Sequence, residues 1–586
     1  MKQWQKYRSP ELKTHLNKLT KDLKQLLYEQ RNQGVQQYLK NLCPSKVNDY
    51  TLWKATRKLR QNIKPSPPIR KRDGSWARSN DEKAKTFAIH LSEVFEPNER
   101  NEETPEDDED IHRAINETYQ LELPIAHFTI RNVQTAIRNL KQKKAPGYDL
   151  ITASILQELP YVGLCFLTYL FNSILRTSCF PPQWKVAQII MISKPGKNPE
   201  ETKSYRPISL LPIPSKLFER LLQKLMPIIE ERKIIPDYQF GFRQKHATIE
   251  QIHRIVYKIF NDLEDKKYCT AAFLDISQAF DKVWHEGLLY KIKRALPLNY
   301  FTIMKSYLSE RYFLVKYCDT TTDLFPIHSG VPQGSVLGPI LYILYTADLP
   351  SNPEITLATF ADDTAILASH PDPNVASQML QNNILSVEKW LSKWRIKANS
   401  SKSFHVTFTN RKGSCPSVTL FGSKIPQADD VKYLGMHLDK HLNWRKHIFT
   451  KRKQLGLQLQ KMYWLIGRKS QLSIENKILI YKAILKPVWT YGIQLWGTAS
   501  TSNVEILQRF QSKVLRIIVD APWYVTNDTL HRDLRIPTVR EEIASCAIHY
   551  CERLASHPNS MASNLIKTHR VTRRLKRRIP QDLVLK

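Results

Sequence analysis

The 586-residue sequence lacks the patterns that mark several common classes of protein. Its eight cysteines are scattered and form no C-x-x-C pair, so neither a disulfide framework nor a zinc ribbon is indicated. The first residues, MKQWQKYRSPELK, contain no apolar core of a secretory signal, and no long apolar span follows in the chain. These absences predict an intracellular protein, in the nucleus, the cytoplasm or both, with reduced thiols and no membrane contact.

Acidic residues are also in short supply. The chain has 88 Lys and Arg residues against 55 Asp and Glu residues, which gives a net charge of +33 and a pI near 9.7. Because contacts with phosphate supply most non-specific affinity for nucleic acid, a basic excess spread over the whole chain indicates a nucleic-acid binder. A generically basic protein is the alternative. A membrane-surface binder fits less well, since the basic residues are not confined to one amphipathic helix.

Two adjacent carboxylates interrupt an apolar run. Residues 355–369 read ITLATFADDTAILAS, and Asp362 and Asp363 are the only charged residues in this segment. The flanks predict two strands of a hairpin with the acids at or near its turn. A solvated turn favours Asp because of its local hydrogen bonds, whereas a buried pair of anions needs a partner or a metal. The segment alone leaves both interpretations open.

A third carboxylate stands in a similar setting. Residues 268–276, YCTAAFLDI, predict a core strand with Asp275 at its C-terminal edge, followed by a turn into a helix. An acid on this strand and an acidic pair on a hairpin could together clamp two divalent ions about 3.5–4 Å apart, which suits phosphoryl transfer. Asp281 is predicted to lie within the following helix as a surface or capping residue.

A segment rich in glycine lies between these acids. Residues 329–339 read SGVPQGSVLGP, a composition that cannot continue a helix or a strand, and the apolar stretch that follows predicts a buried helix. A glycine-rich turn that opens a helix brings the backbone close to a ligand and offers free N–H groups. On composition alone, a plain loop explains the segment equally well.

In this order, the segments LDISQAFD, SGVPQGSVLGP and FADD resemble the A, B and C motifs of reverse transcriptases, most closely those of non-LTR retrotransposons of the jockey type. Further segments resemble the fingers, later palm and thumb motifs of that group: residues 144–149, 184–197, 205–212, 394–402, 433–439 and 489–497. Each motif is weak to moderate evidence by itself. The ordered set is specific, and it covers nearly the whole chain.

The resemblance implies an α+β fold, a right-hand polymerase with fingers, a palm built on an antiparallel sheet, and a helical thumb, with helical extensions at both ends. The expected divisions are a basic helical N-terminal extension, a linker with an acidic run, the fingers and palm, and a helical thumb with a basic C-terminal region, over residues 1–70, 71–125, 126–441 and 442–586.

Two details of the N-terminal part come from the residues themselves. Leucines from Leu12 to Leu27 recur at helical spacing and predict an amphipathic basic helix within residues 9–42, with a second helix over residues 49–59. The acidic run at residues 102–110, EETPEDDED, has no apolar period and is expected to be a solvated loop.

The resemblance also implies the site residues. The catalytic and metal-binding set would be Asp275, Asp362 and Asp363 with the backbone carbonyl of Ile276, holding two Mg²⁺ ions, with Mn²⁺ as an alternative. The implied nucleotide-binding set is Lys194, Arg206, Phe280, Gln333, Gly334 and Lys402. Phe280 would be the aromatic gate that excludes a ribose 2′-hydroxyl, and Arg206 would pair with phosphate oxygens through its forked guanidinium.

Basic residues near the C-terminus form a further candidate patch, which a solvated helix end explains equally well. The proposed nucleic-acid contacts are Arg573, Arg574, Lys576, Arg577 and Arg578. The nearby group Cys546, His549, Cys551 and His557 belongs to a segment with the texture of an ordinary helix, so it offers little support for a metal site.

The implied function is an RNA-directed DNA polymerase that uses an RNA template, a DNA primer or target and deoxynucleoside triphosphates. The roughly 125 residues before the globular part are expected to be too short for the endonuclease domain that such elements usually carry. No ribonuclease H pattern is found after residue 440. Two alternatives stay open, a catalytically inactive nucleic-acid-binding remnant and an intron-maturase-like protein. The sequence leaves the oligomeric state open.

Overall fold

A computed structural model of the chain describes residues 4, 9–40, 67–99, 105–117, 126–223, 225–567 and 573–584. Its helices are α1 (Pro10–Lys40), α2 (Asn80–Val94), α3 (Pro105–Asn116), α4 (Ile130–Arg138), α5 (Ala153–Gln157), α6 (Tyr161–Thr177), α7 (Ile213–Leu222), α8 (Leu225–Glu231), α9 (Thr248–Glu264), α10 (His285–Ala295), α11 (Leu298–Leu308), α12 (Gly338–Tyr345), α13 (Pro373–Lys393), α14 (Arg445–Ile466), α15 (Ile474–Ile480), α16 (Lys486–Thr490), α17 (Ile493–Trp496), α18 (Thr501–Val519), α19 (Asn527–Asp533), α20 (Val539–Ala555) and α21 (Ser560–Lys567). Within the described ranges, no helix is long and apolar enough to cross a membrane.

The strands are β1 (Ile69–Arg70), β2 (Trp76–Ala77), β3 (Val186–Ser193), β4 (Tyr205–Leu210), β5 (Tyr268–Leu274), β6 (Arg311–Tyr317), β7 (Thr320–Thr321), β8 (Phe325–Ile327), β9 (Thr356–Phe360), β10 (Asp363–His370), β11 (Phe404–Phe408), β12 (Thr419–Leu420), β13 (Ser423–Lys424), β14 (Asp430–Tyr433) and β15 (Met436–Asp439). Antiparallel sheets and separate helical regions make this an α+β protein, so the predicted fold class is confirmed.

The central sheet has the strand order β11-β5-β10-β9, and all its pairings are antiparallel. Every residue of β5 is buried, and its side chains alternate between two separate cores. Ala272 and Leu274 face the core formed with α10 to α13, whereas Ala271 and Phe273 face the core shared with α9 and the C-terminal helices. Burial on both faces fixes this register, because a one-residue slip would exchange the two sets of side chains.

A second sheet has the order β4-β3-β6-β7, with β8 also paired to β6. Strands β3 and β4 form an antiparallel hairpin in which Ile192 pairs with Arg206, and β3 runs parallel to β6. Helix α2 covers this sheet, where Phe87 packs edge-on against Tyr205 with 4.9 Å between ring centroids. The buried hairpin thus carries Arg206 on a rigid support.

The segment predicted as a linker, residues 71–125, contains two packed helices, so that expectation is wrong for its described part. Helix α2 begins at a capping box formed by Ser79 and Glu82, which satisfies two backbone N–H groups at its start. Residues 105–110 of the acidic run lie in α3, where Ile111 and Ile115 are buried against the same core as α10. Acidic residues early in a helix interact favourably with its dipole, so this described part of the run is helical and not the expected loop.

The predicted N-terminal helix is confirmed as α1, while the second helix expected at residues 49–59 lies outside the described residues. Leu19, Leu23 and Leu26 on α1 are each more than half exposed. The helix contacts the C-terminal half of the protein where the Gln36 side chain accepts a hydrogen bond of 2.7 Å from the backbone N–H of Gln471.

After Asp439, every regular element of the described chain is helical. Helices α14 to α21 enclose a core that includes the fully buried Trp489 and Trp496. The expected helix is present as α20, which carries Cys546, His549 and Cys551, whereas His557 lies two residues beyond its end. No metal-binding cluster of His, Cys, Asp or Glu forms among the described residues. Residues 573–584 then fold back against α9 and the loop after β15.

Candidate active site

The predicted hairpin with two acids at its turn is present. Phe360 pairs with Asp363 at the end of the β9–β10 ladder, so Ala361 and Asp362 form the turn. Ala361 adopts a left-handed φ of 59°, an uncommon conformation for a residue with a side chain. The buried amide of Gln239 supports it, because its Oε1 accepts hydrogen bonds from Ala361 N at 3.0 Å and from Gly241 N at 2.7 Å.

Gly241 packs directly beneath this turn. A Cβ atom at Gly241 would lie 2.2 Å from Ala361 N, a distance no real carbon atom tolerates. The backbone of residues 239–241 therefore packs against the acidic turn. Only glycine fits at position 241, where the two backbones come closest.

The three carboxylates predicted as catalytic lie at the same end of the central sheet. Thr364 pairs with Leu274 across β10 and β5, so Asp275 and Asp363 occupy the next step of this register. Burial, with a further contribution from the charge of Asp275, raises the pKa of Asp362. Burial, followed by the charges of Asp362 and Asp275, raises the pKa of Asp363 to about 6. Repulsion from the neighbouring carboxylates thus adds to the effect of burial on Asp362 and Asp363.

Residues 397–403 hold Asp275 from the side. Its backbone N–H donates to Ser403 Oγ at 3.1 Å, and its carbonyl accepts from Asn399 N at 2.8 Å. Lys402 Nζ lies 3.9 Å from Asp275 Oδ2 and is the cation nearest to the acids in the described chain. This segment makes its backbone hydrogen bonds to the residues on either side of Ile276. It makes none to the carbonyl oxygen of Ile276 itself.

These donors fit a divalent cation of the Mg²⁺ type. Carboxylate and carbonyl oxygens are the hard ligands that Mg²⁺ prefers, and a cation would relieve the repulsion that raises the pKa of Asp362 and Asp363. Among the described residues, no three His, Cys, Asp or Glu side chains already converge on one ion position. The arrangement thus offers carboxylate and carbonyl oxygens at one end of the central sheet.

Basic groups of the second sheet stand across from the acids. Lys194 follows β3 and Arg206 lies on β4. Burial, followed by the charges of Arg206 and Lys402, lowers the pKa of Lys194, while Asp281 opposes this shift. Arg206 and Lys402 are therefore close enough to lower the pKa of Lys194, and a polyanion bound beside Lys194 would relieve this repulsion.

Phe280 is fixed by two aromatic neighbours. Its ring stacks on Tyr342 with centroids 4.5 Å apart and lies edge-on to Phe242 at 5.8 Å. Its backbone carbonyl accepts a hydrogen bond of 2.8 Å from Val331 N in the glycine-rich segment. The ring predicted as a gate thus has a defined position next to that segment.

The glycine-rich segment does open a helix, α12, as expected. Gly334 has a φ of 130°, and a Cβ atom there would lie 2.5 Å from Ser209 O. Glu219, fully buried on α7, accepts from Val336 N at 2.6 Å and from Leu337 N at 3.1 Å. This side chain satisfies the backbone at the start of α12, and nothing in its local sequence distinguishes it from other helical glutamates.

Asp281 contradicts its prediction as a helical surface residue. Helix α10 begins only at His285, because residues 278–282 form a tight turn in which Gln278 has a φ of 50°. Asp281 is 6% exposed, and both its carboxylate oxygens accept from Gln333 Nε2, at 2.8 and 2.9 Å. Burial raises the pKa of Asp281 to about 7, against the opposing effects of the Gln333 hydrogen bond, Lys194 and Lys282.

The C-terminal basic residues lie at a distance from these groups in the fold, against α9 and the loop after β15. Arg573 pairs with Asp582 at 2.6 Å, the Arg574 guanidinium donates to the carbonyl oxygens of Leu263 and Glu264, and Arg577 donates to the carbonyl oxygen of His441. Lys576 and Arg578, on either side of Arg577 in the chain, are exposed. Three of the five arginine and lysine side chains therefore make contacts within the protein.

We expect Gly241→Ala to loosen the acidic turn, because the added methyl group must displace Ala361. Such overpacking typically costs about 1–3 kcal/mol. Hydrogen–deuterium exchange should become faster in residues 356–370. Gly34→Ala on α1 is a matched control, since a Cβ there meets nothing within 4 Å. Unchanged exchange in the hairpin of the Gly241→Ala protein would show that the turn does not depend on this contact.

Comparisons with known proteins agree with this geometry. Residues 192–438, which include all three motifs, match the family described as "Reverse transcriptase (RNA-dependent DNA polymerase)". Over 99% of its length the chain is 40% identical to "Probable RNA-directed DNA polymerase from transposon X-element" and 38% identical to "RNA-directed DNA polymerase from mobile element jockey", both of Drosophila melanogaster. The chain spans 64% and 65% of the length of these two relatives.

Among solved structures, a telomerase from Candida tropicalis in complex with a TWJ fragment of telomeric RNA is similar over 70% of this chain and 69% of that chain. The identity is 13% and the TM-score is 0.33. The family match and the near-complete alignment with the transposon polymerases carry the assignment. Residues 192–438 of this chain therefore form a domain of the reverse transcriptase family.

Proposed function

We propose that this chain is an RNA-directed DNA polymerase that adds deoxynucleotides to a primer 3′-hydroxyl by phosphoryl transfer. The observation that carries this proposal is the pairing of Leu274 with Thr364, which brings Asp275 to the same sheet end as Asp362 and Asp363. Lys194 and Arg206 of the second sheet would supply the positive charge that a triphosphate requires. The assignment to a non-LTR retrotransposon of the jockey type rests on the relatives named above.

The acids have separate roles in this proposal. Asp275 and Asp362, with the carbonyl oxygen of Ile276, would hold two Mg²⁺ ions or Mn²⁺ in their place, and Asp363 would be an additional ligand. A filled site of this type supplies neutralisation of phosphate charge and activation of a hydroxyl nucleophile. The protein itself contributes position, because Gln239, Gly241 and the segment around Ser403 fix the carboxylates before any ligand arrives.

The remaining residues would bind the nucleotide. Lys194, Arg206 and Lys402 would neutralise the triphosphate, and the backbone at Gly334 would allow close approach to it. Phe280, braced by Tyr342, would exclude a ribose 2′-hydroxyl and so select deoxynucleotides. Template RNA and primer DNA would bind to the basic surface, to which the exposed Lys576 and Arg578 contribute.

The division of the chain remains part of this proposal. Fingers and palm would occupy residues 126–441, and the thumb with the basic C-terminal region would occupy residues 442–586. Helix α2 packs on the sheet that contains β3 and β4, so residues 80–94 belong to the fingers in our proposal rather than to a linker. Residues 1–70 would form the helical N-terminal extension.

We expect Asp362→Asn to abolish primer extension on an RNA template in the presence of Mg²⁺ and deoxynucleoside triphosphates, because the amide cannot balance a cation. The loss should exceed about 100-fold, in line with the removal of a group that stabilises transition-state charge. Asp319→Asn, in the exposed turn after β6, is the matched control. Equal extension by wild type and the Asp362 variant would contradict the polymerase assignment, and a folded but inactive wild type would favour the nucleic-acid-binding remnant.

We expect Phe280→Val to raise the incorporation of ribonucleotides relative to deoxynucleotides, because the smaller side chain leaves space for a 2′-hydroxyl. The measurement is the ratio of kcat/KM for the two nucleotides, which should shift by roughly tenfold or more toward the ribonucleotide. Phe421→Val, on the distant β12–β13 turn, controls for loss of an aromatic ring. An unchanged ratio would remove the gate role from Phe280.

A further inference from the structure

Gln333 is held at both ends by contacts from different parts of the chain. Its side-chain nitrogen donates to Asp281, 52 residues earlier, and its backbone carbonyl accepts a hydrogen bond of 2.9 Å from Ser209 N on β4. Ser209 lies on the same strand as Arg206. Gln333 therefore connects the strand that carries the proposed phosphate ligand to the turn that carries Phe280.

Asp281 is itself rigidly placed. Its backbone carbonyl accepts a hydrogen bond of 3.1 Å from Ser329 Oγ. Gly330, at a φ of 92°, approaches so closely that a Cβ atom would lie 2.6 Å from Asp281 O. With the bond from Val331 N to Phe280 O, residues 280–281 and 329–331 are joined along their backbones. The backbone that carries the Asp281 carboxylate is thus held in place where this carboxylate accepts from Gln333.

The chemistry of the pair determines how the Gln333 amide is turned. Above its pKa of about 7 the Asp281 carboxylate is ionised and only accepts hydrogen bonds, so the amide nitrogen of Gln333 faces Asp281 and Oε1 faces away. No described residue donates to Gln333 Oε1 in the hydrogen bonds of the structure, although this oxygen is not sealed in the interior. An oriented acceptor is therefore available to a ligand in the cleft.

We infer that Asp281 is a positioning residue that fixes the Gln333 amide so that its oxygen accepts from a hydroxyl or other donor of the incoming nucleotide. The inference rests on the proposed polymerase function. Asp281 acts only through Gln333 and need not touch the nucleotide.

The free energy of folding supports a functional rather than a stabilising role. Asp281 has no cation within salt-bridge distance in the described chain, and Lys194 and Lys282 act on it only at longer range. A buried carboxylate without a paired cation costs stability. Because its folded-state pKa of about 7 exceeds the unfolded value of 3.8, the protein loses stability as pH rises through this interval. An asparagine of the same shape would avoid this loss.

The substitution Asp281→Asn distinguishes a functional role of Asp281 from a stabilising one. Asparagine presents either an oxygen or an NH₂ group to Gln333, so the glutamine amide is free to reverse. We expect KM for the deoxynucleoside triphosphate to rise about tenfold, equivalent to about 1.4 kcal/mol. We expect kcat to stay within about twofold, since the acids are untouched. The thermal midpoint at pH 8 should be equal to or higher than that of wild type, and the difference should shrink as the pH is lowered from 8 toward 3.8.

Two further comparisons make the test specific. On a Gln333→Ala background, Asp281→Asn should leave KM unchanged, because the group it positions is gone. Asp262→Asn is the matched buried control: this carboxylate pairs with Lys258 and Ser369 near the other end of β10, so its loss should lower stability without changing KM.

An active wild type whose KM is unaffected by Asp281→Asn would overturn the inference and leave the polymerase function intact. A variant that loses stability at pH 8 with kcat and KM altered together would reduce Asp281 to a structural role. If wild type does not extend a primer, the proposed function fails. Equilibrium binding of the deoxynucleoside triphosphate then decides the inference, and equal affinity for wild type and variant would overturn it.

Discussion

The antiparallel pairing of β5 with β10 determines where the carboxylates of the candidate active site lie. Leu274 opposite Thr364 brings Asp275 and the acidic turn to one end of the sheet. What maintains this pairing is apolar packing, because the alternating side chains of β5 fill two different cores. A displacement by one residue would exchange those two sets and turn the acids away from each other. The chemistry therefore depends on side chains that never meet a substrate.

Opposite charges are kept apart in this cleft rather than paired. Burial and the neighbouring carboxylates raise the pKa of Asp362 and Asp363, while Lys194, after a strand of the second sheet, is close to other cations. Within the described residues, the contact of 3.9 Å between Lys402 and Asp275 is the one ion pair that joins the two groups. Like charges therefore repel one another within each group. A divalent cation beside the acids and a polyanion beside the lysine would relieve both at once.

The sequence predicted those parts of the site that depend on local pattern. The strand before Asp275, the hairpin around Asp362 and the helix after the glycine-rich segment all follow from runs of apolar residues and their breaks. Gln239 escaped prediction because its partner Ala361 is 122 residues away. Asp281 was misjudged for a similar reason, since its partner Gln333 lies 52 residues further on and the turn before α10 delays the helix. Long-range hydrogen bonds leave no periodic trace in a sequence.

The irregular segments that border the central sheet help to keep the protein soluble, in addition to positioning its carboxylates. On one side, Phe240 N donates to Thr359 O at 3.0 Å and Thr359 N donates to Tyr238 O at 3.1 Å. These bonds satisfy backbone groups on the outer edge of β9. On the other side, His405 N donates to Pro426 O and Ala428 N donates to His405 O, both at 2.9 Å, which occupies part of β11. An uncovered edge invites a strand from another molecule and is a common origin of aggregation. A chain cut short before residue 425 would keep Asp275, Asp362 and Asp363 and yet expose such an edge.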